Sequence, residues 1–251
     1  MPRYFIEVAY KGTEYSGFQV QQNANTIQAE LENACKIFHR KNFELTGSSR
    51  TDAGVHAIQN YFHVDLEEQI EDAAKSVYHV NAILPRDIAV KNIMLVSDNV
   101  HCRFDAIHRS YEYTITTEKN PFLLEQAYYY PFEINIDTLN ECASMLCDYS
   151  NFESFAKKNS QVFTYECSIT KSIWTLENNL LKYNVTGNRF LRGMVRGLVG
   201  TMLLVGRGKY AVEEFRKIIE SLNAAKTDFS APAHGLTLME VGYNFPHLLT
   251  T

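Results

Sequence analysis

One short stretch, residues 47–57, combines side chains that could do chemistry with two glycines. Its sequence, Gly-Ser-Ser-Arg-Thr-Asp-Ala-Gly-Val-His-Ala, puts Arg50 two residues before Asp52. A carboxylate held in a loop after a strand can act as a nucleophile or in acid–base catalysis. A nearby arginine favours the ionised carboxylate and can contact a phosphate or a base. The structural alternative is that Asp52 forms an Asx turn with the next residues while Arg50 is solvated.

A second stretch, residues 178–212, is basic although the chain as a whole is acidic. The net charge is −5 with a pI ≈ 5.9, so a nucleic-acid site has to be a local patch. A helix is predicted from Phe190 to Val205, and helical spacing puts Arg189, Arg192 and Arg196 on one side. Alternatively, this helix packs on another element and its arginines extend outward. The stretch contains no acidic residue and six basic ones, Lys182, Arg189, Arg192, Arg196, Arg207 and Lys209.

A third stretch, residues 103–113, contains Tyr111 and Tyr113, which share one face if the segment is a strand. Such tyrosines can stack on bases of single-stranded RNA, although packing in the core is the simpler interpretation. The five cysteines form no C-x-x-C pair, and the eight histidines have no ligand spacing such as H-E-x-x-H. We therefore expect free thiols and no metal site.

The elements that must position these residues follow from periodicity. The first hundred residues predict strands at 4–10, 43–46, 61–66 and 88–96, with helices at 27–38 and 70–80. We expect Asn25 and Gln28 to cap the first helix. This β-α-β-β-α-β order is the ferredoxin-like arrangement, and residues 110–241 can be parsed in the same way, with a hairpin around Glu177–Asn179. The prediction is an α+β fold with two domains, residues 1–103 and 104–251.

Composition restricts the class of protein further. The chain has 251 residues, of which 45% are hydrophobic and 21% charged, as in a folded globular protein. The start lacks an apolar signal core, and residues 197–206 are far shorter than the ~20 residues of a membrane span. The sequence therefore predicts a cytoplasmic protein without a membrane partner.

Five motifs in order along nearly the whole chain resemble one family, the tRNA pseudouridine synthases that act on the anticodon stem-loop (the TruA family). The string from Arg50 to Ala57, R-T-D-A-G-V-H-A, matches that family's catalytic motif without a change and is highly specific. Three departures, Lys11, Phe18 and the pair Ser48–Ser49, affect substrate contacts rather than the activity. The four weaker matches are residues 9–19, residues 103–113, residues 190–196 and residues 231–236.

The resemblance implies an isomerase that converts uridine to pseudouridine at tRNA positions 38, 39 and/or 40. It implies two ferredoxin-like (RRM-like) halves that form an extended mixed, mainly antiparallel sheet with helices packed on it and an active-site cleft between the halves. It also implies a homodimer that binds tRNA and needs no cofactor. Asp52 would be the nucleophile, attacking either ribose C1′ or uracil C6.

The resemblance also assigns roles to other residues. Arg50 would guide the flipped base, whose extrusion from the stack costs a few kcal/mol. Tyr111 would stack on the uracil, Arg196 would pair with Asp52, and Leu236 would pack on the other side of the base. A separate hypothesis comes from the basic stretch itself, in which Arg189 and Arg192 would contact phosphates.

Two other functions remain open from the residues alone. A non-catalytic RNA-binding module would bind tRNA without forming pseudouridine. A hydrolase with Asp52 as general base would release uracil or cleave the strand.

Overall fold

Nine strands and five α-helices make up the part of the chain that the computed structural model describes, residues 1–157 and 163–245. The predicted α+β class is confirmed. Where strand registers are described, β5 and β6 pair in parallel and the other pairs are antiparallel. In chain order the elements are β1 Arg3–Tyr10, α1 Ile27–His39, β2 Thr46–Gly47, β3 His56–Asp65, α2 Ala73–Ile83, β4 Ile88–Val96, β5 His108–Thr116, β6 Tyr128–Tyr129, α3 Ile136–Met145, β7 Ile169–Glu177, β8 Leu180–Gly187, α4 Met194–Gly206, α5 Val212–Glu220 and β9 Leu236–Gly242.

The described residues cluster into two compact units. The first unit holds residues 1–107 together with the described residues from Leu238 onward, and the second holds those between His108 and Thr237. The predicted domains, residues 1–103 and 104–251, divide the chain differently at its C-terminal end. Those domain ranges stay a prediction.

In the first unit, strands lie in the order β4, β1, β3 and β9, with β2 paired to β3. The central strand β1 is antiparallel to both neighbours, so that Ile6 lies opposite Phe62 on one side and Ile93 on the other. Ile6 and Phe62 are fully buried, as expected for the middle of a sheet. Helix α2 packs against β4, and α1 packs against α2.

In the second unit, β8 lies between β5 and β7, and both pairs are antiparallel. The predicted hairpin is confirmed, and its turn residues Asn178 and Asn179 both have positive φ angles, 52° and 62°. Asparagine tolerates this conformation, which two-residue hairpin turns require. The buried rings of Trp174 and Tyr183 stack across β7 and β8 with centroids 4.9 Å apart.

Several local predictions about the first unit differ from the structure. Strand β3 begins at His56 rather than at residue 61, and α2 spans Ala73–Ile83 rather than residues 70–80. The strand predicted at Phe43–Thr46 is limited to Thr46–Gly47, because side chains of α1 bind the backbone of Leu45. Glu32 accepts from the Leu45 N–H at 3.0 Å, and Gln28 donates to the Leu45 carbonyl at 2.7 Å, so these groups are unavailable to a partner strand. Helix α1 is capped by Thr26, which accepts from the Ala29 N–H, rather than by Asn25.

The helix predicted from Phe190 to Val205 is wrong at its beginning, since α4 begins at Met194. Gly193 has a φ of +72°, which a right-handed helix cannot include. Just before it, the carbonyl of Arg192 accepts from the N–H of Lys157 at 3.0 Å instead of an N–H of its own helix. Arg189 and Arg192 therefore precede the helix, and only Arg196 of the predicted arginine row lies on it.

Across the described ranges, no helix has the length and apolar character that crossing a membrane requires.

Candidate active site

The loop between β2 and β3 in the first unit presents the two reactive side chains that the sequence singled out. Ser49 and Thr51 are buried, whereas Arg50 is exposed and Asp52 is half-buried. Burial thus alternates with exposure along the loop. One side is fixed to the protein, and the other exposes a guanidinium two residues from a carboxylate.

A buried hydrogen-bond network fixes this loop. Asn60 on β3 accepts from the Ser49 N–H at 3.3 Å and donates to the Ser49 carbonyl at 2.8 Å. The Asn60 amide also donates to the Tyr10 hydroxyl at 3.1 Å, and that hydroxyl lies 2.8 Å from Thr51 Oγ1. Asn60 is fully buried, and sequence reasoning missed it. The sequence offers only a weak signal, an asparagine directly before the apolar pair Tyr61–Phe62.

The residues after β1 pack directly on the same loop. A Cβ added at Gly12 would lie 2.1 Å from the carbonyl oxygen of Val55, a distance that real side chains do not reach. The Gly12 N–H donates to Nδ1 of His56 at 3.0 Å, so His56 serves as an acceptor. The Thr51 carbonyl in turn accepts from the Phe18 N–H at 3.2 Å. The segment from Gly12 to Phe18 therefore packs against the Asp52 loop and supports it.

In the second unit, Tyr111 lies half-buried on β5 with its ring edge-on to Phe190 at 5.2 Å. Phe190 follows Arg189 directly, so this contact places Tyr111 next to the segment that carries Arg189 and Arg192. Tyr113 packs in the core, as the simpler interpretation of this residue predicts. It is fully buried, its hydroxyl donates to the Pro232 carbonyl at 2.8 Å, and burial raises its pKa.

The loop before β9 lies against helix α4 within the second unit. Arg196 is half-buried, and its Nε donates to the Ala231 carbonyl at 2.7 Å. Leu236 is buried at the end of this loop, whereas Arg192 is exposed and Arg189 is half-buried. The structure thus describes Arg50 with Asp52 in the first unit and the other five predicted site residues in the second.

Among the described residues, one cluster has donor atoms close enough for a metal, although the sequence spacing predicted none. His63, His101 and Cys102 each offer a ligand atom, and these atoms lie within 4.8 Å of one another. The atoms already serve internal hydrogen bonds. Cys102 Sγ donates to the Thr46 carbonyl at 3.1 Å, and Nδ1 of His63 accepts from the Cys102 N–H at 3.4 Å.

Burial, followed by the positive charge of Arg3, lowers the pKa of His63 to about 4. A neutral His63 is what an acceptor for the Cys102 N–H requires. We therefore assign the cluster a structural role, in which it joins the turn after β4 to strands β2 and β3.

Fold and loop together define an α+β protein with a half-buried carboxylate on a loop that buried hydrogen bonds hold, and comparison with known proteins gives its family. The sequence profile of the family described as tRNA pseudouridine synthase matches residues 6–105 and 146–244. These ranges include Arg50, Asp52, the three arginines and Leu236, whereas Tyr111 falls in the gap between them.

Individual relatives match over nearly their full length. The chain is 44% identical over 242 residues to tRNA pseudouridine synthase A of Bacteroides fragilis, covering 96% of each chain. It is 41% identical over 243 residues to the enzyme of the same name from Parabacteroides distasonis, covering 97% of this chain and 96% of the relative. For the Staphylococcus aureus MRSA252 enzyme of that name, the identity is 34% over 241 residues, or 95% and 91% of the two chains. The chain belongs to the tRNA pseudouridine synthase family, and it is an isomerase that acts on tRNA.

Proposed function

We propose that this protein isomerises uridine to pseudouridine at positions 38, 39 and/or 40 of the tRNA anticodon stem-loop, with Asp52 as the nucleophile. The observation that carries the proposal is the loop itself. It contains the R-T-D-A-G-V-H-A string, buried hydrogen bonds from Asn60 and Tyr10 hold the Ser49 backbone and the Thr51 side chain, and Arg50 is exposed while Asp52 is half-buried. Such a preorganised carboxylate suits attack on a substrate that is brought to it.

The bonds that change define what the residues must do. The bond between ribose C1′ and uracil N1 breaks, a bond between C1′ and C5 forms, C5 loses its proton and N1 gains one. One glycosidic bond replaces another, so the net reaction needs no oxidant, reductant or cofactor. A uridine in a stem has to leave the base stack first, at a cost of a few kcal/mol that contacts with the enzyme must replace.

The proposed roles of the remaining site residues come from the family resemblance. Arg50 guides the flipped base, Tyr111 stacks on the uracil and takes part in proton transfer at C5, and Arg196 keeps Asp52 ionised. Leu236 packs on the base. Arg189 and Arg192 are proposed to contact phosphates, which agrees with their position in a stretch without acidic residues.

The first prediction concerns Asp52→Asn. This variant should form no pseudouridine, because an amide cannot replace the nucleophilic carboxylate, and it should still bind tRNA. Tritium release from tRNA that contains 5-³H-uridine measures the reaction, and fluorescence anisotropy measures binding. Asp98→Asn, which alters an exposed carboxylate of the same unit, is the control and should remain fully active. Substantial turnover by Asp52→Asn would contradict the assignment.

A nucleoside digest of the treated tRNA separates the proposal from its two alternatives. A non-catalytic RNA-binding module would leave the uridine content unchanged. A hydrolase would release free uracil or cleaved strands.

The proposal includes three broader features of the protein. They are a chain plan of two ferredoxin-like halves, a cytoplasmic location and a homodimer that binds one tRNA across two subunits. The β-α-β-β-α-β order of the first unit supports the chain plan. For the homodimer, light scattering after size-exclusion chromatography should give twice the chain mass of 28.8 kDa. A species of 28.8 kDa alone would contradict it.

A further inference from the structure

The turn after β4, from His101 to Asp105, holds an aromatic side chain out of the protein. Phe104 is 74% exposed, which is unusual for a phenylalanine in a well-bonded turn. Both the Phe104 and the Asp105 N–H groups donate to the His101 carbonyl, at 3.1 and 3.0 Å. The Asp105 carboxylate accepts from the His101 N–H at 2.6 Å, which closes the turn. The exposed ring is therefore carried by a defined backbone.

A cavity of about 210 Å³ lies beside this ring within the first unit, and Arg50 of the Asp52 loop lines it. Phe104, Arg103 and His101 contribute to the same lining, together with the exposed Gln19. The lining contains two arginines and neither Asp nor Glu among the described residues, in a chain whose net charge is −5. Burial, followed by the charge of Arg3, lowers the pKa of His101.

The size and chemistry of the cavity fit part of a polymer. Pockets that enclose a whole small molecule measure roughly 300–1,000 Å³, so about 210 Å³ suits part of a ligand, such as one base of a longer chain. The guanidinium of Arg103 lies 5.8 Å from the centroid of the Phe104 ring. Aromatic rings and arginine planes are the groups on which unstacked RNA bases lie, and arginine also binds phosphate.

We propose that this cavity binds a second nucleotide of the substrate RNA, next to the one that reacts, with its base on Phe104 and its phosphate facing Arg103 and Arg50. The proposal rests on the proposed function, since that function supplies the RNA. Asp52 does not line the cavity, whereas Arg50 does. Two residues of extended chain span at most about 7 Å, so Arg50 can contact both nucleotides. Phe104 is thus assigned to substrate binding.

The test compares Phe104→Ala with Tyr78→Ala, an aromatic on α2 of the same unit that is 71% exposed and does not line the cavity. Losing one stacked base should weaken binding of an anticodon stem-loop RNA about tenfold. The KM should rise by the same factor of about ten, with kcat changed less than about twofold, because a binding contact is lost and not a reacting group. Phe104→Trp should retain wild-type affinity, and Tyr78→Ala should match the wild type in both measurements.

Photocrosslinking tests the contact directly, because a Phe104 with only a structural role would give no crosslink to the RNA. Stem-loop RNA with 4-thiouridine next to the target uridine should crosslink to the peptide that contains Phe104, and mass spectrometry identifies the peptide. Unchanged Kd and KM in Phe104→Ala, or a crosslink only to other peptides, would overturn the proposal. So would a variant that dissociates in light scattering while its RNA affinity is unchanged, since the ring would then contact a second copy of the chain.

The result for Phe104 can be interpreted independently of the result for Asp52→Asn. If Asp52→Asn remains active, the proposed nucleophile is wrong, but the comparison of Phe104→Ala with Tyr78→Ala still reports on the cavity. If Asp52→Asn is inactive and Phe104→Ala binds RNA like the wild type, the proposed function stands and the second nucleotide site is wrong. The circular dichroism of both alanine variants should match that of the wild type, because both side chains are exposed.

Discussion

Asn60 is the residue on which the geometry of the Asp52 loop depends most directly. Its amide makes hydrogen bonds to both backbone groups of Ser49, on the N-terminal side of Arg50, and to the Tyr10 hydroxyl. Tyr10 in turn contacts Thr51, on the C-terminal side of Arg50. These groups are buried, so removing Asn60 would take away the partner of both Ser49 backbone groups without giving them access to water, and would cost Tyr10 one hydrogen bond while the one to Thr51 remains.

Asn60→Ala should therefore destabilise the protein by about 2–4 kcal/mol, because an unsatisfied buried polar group costs about 1–3 kcal/mol. Activity should also fall, since the loop backbone loses its support. Asn60→Asp preserves the acceptor for the Ser49 N–H but neither of the two donors, so it should be defective as well. Urea denaturation and tritium release measure the two effects. Asn99→Ala, at an exposed turn, should change stability by less than about 0.5 kcal/mol; a similar loss in both alanine variants would show that Asn60 has no special role.

Helix α4 illustrates how one element is positioned by small residues. A Cβ at Gly200 would lie 2.3 Å from the Asp228 carbonyl oxygen, so the segment before β9 packs directly on the helix backbone. Thr201 strengthens this contact, because its hydroxyl accepts from the Asp228 N–H at 3.1 Å. The same segment continues to Ala231, whose carbonyl binds Arg196. Close packing of the helix and this segment is what orients the arginine.

Gly200→Ala should destabilise the protein even though alanine favours helices by about 1 kcal/mol. The added methyl meets a backbone carbonyl that no rotamer change can move, and overpacking costs about 1–3 kcal/mol. Gly197→Ala is the matched variant on the same helix, since its Cβ would meet the ring edge of Phe229 at 2.8 Å, and a side chain can shift. We expect Gly200→Ala to lose more stability in urea denaturation, and the reverse order would contradict this account of the packing.

At the level of the whole molecule, the net charge opposes binding of RNA, whereas the local charge of the basic stretch favours it. The chain carries −5 overall, which repels a polyanion such as tRNA at long range. Binding must then come from local basic groups, of which the exposed Arg192 and the half-buried Arg189 are the proposed phosphate contacts. Phosphate contacts release counterions, so the affinity for tRNA should fall steeply as salt is raised.

The slope of log K against log salt concentration is negative, and Arg192→Ala should make it shallower by about one unit. Lys91→Ala, which removes an exposed cation from β4, should leave the slope unchanged. Fluorescence anisotropy of labelled tRNA over a salt series supplies both slopes. A salt-independent affinity, or equal slopes for the wild type and Arg192→Ala, would exclude the phosphate role.

Much of the fold follows from local patterns. Alternating apolar residues predict β1, β4 and the β7–β8 hairpin, and an apolar row at helical spacing predicts α1, because each signal lies within one element. The R-T-D-A-G-V-H-A string likewise singles out Asp52 from eight consecutive residues. Neighbouring residues therefore suffice to predict the type of these elements and the reactive side chain.

Other features depend on residues that are far apart along the chain. Asn60 supports the loop because folding brings Tyr10 and Ser49 to it, and α4 begins at Met194 because Gly193 adopts a positive φ next to the bond from Lys157 to Arg192. Phe104 stands exposed beside Arg50 through the turn that follows β4. Periodicity carries no information about such contacts, since each depends on which surfaces meet. The Asp52 loop is thus recognisable from its own residues, whereas its rigidity and the cavity beside it arise from distant ones.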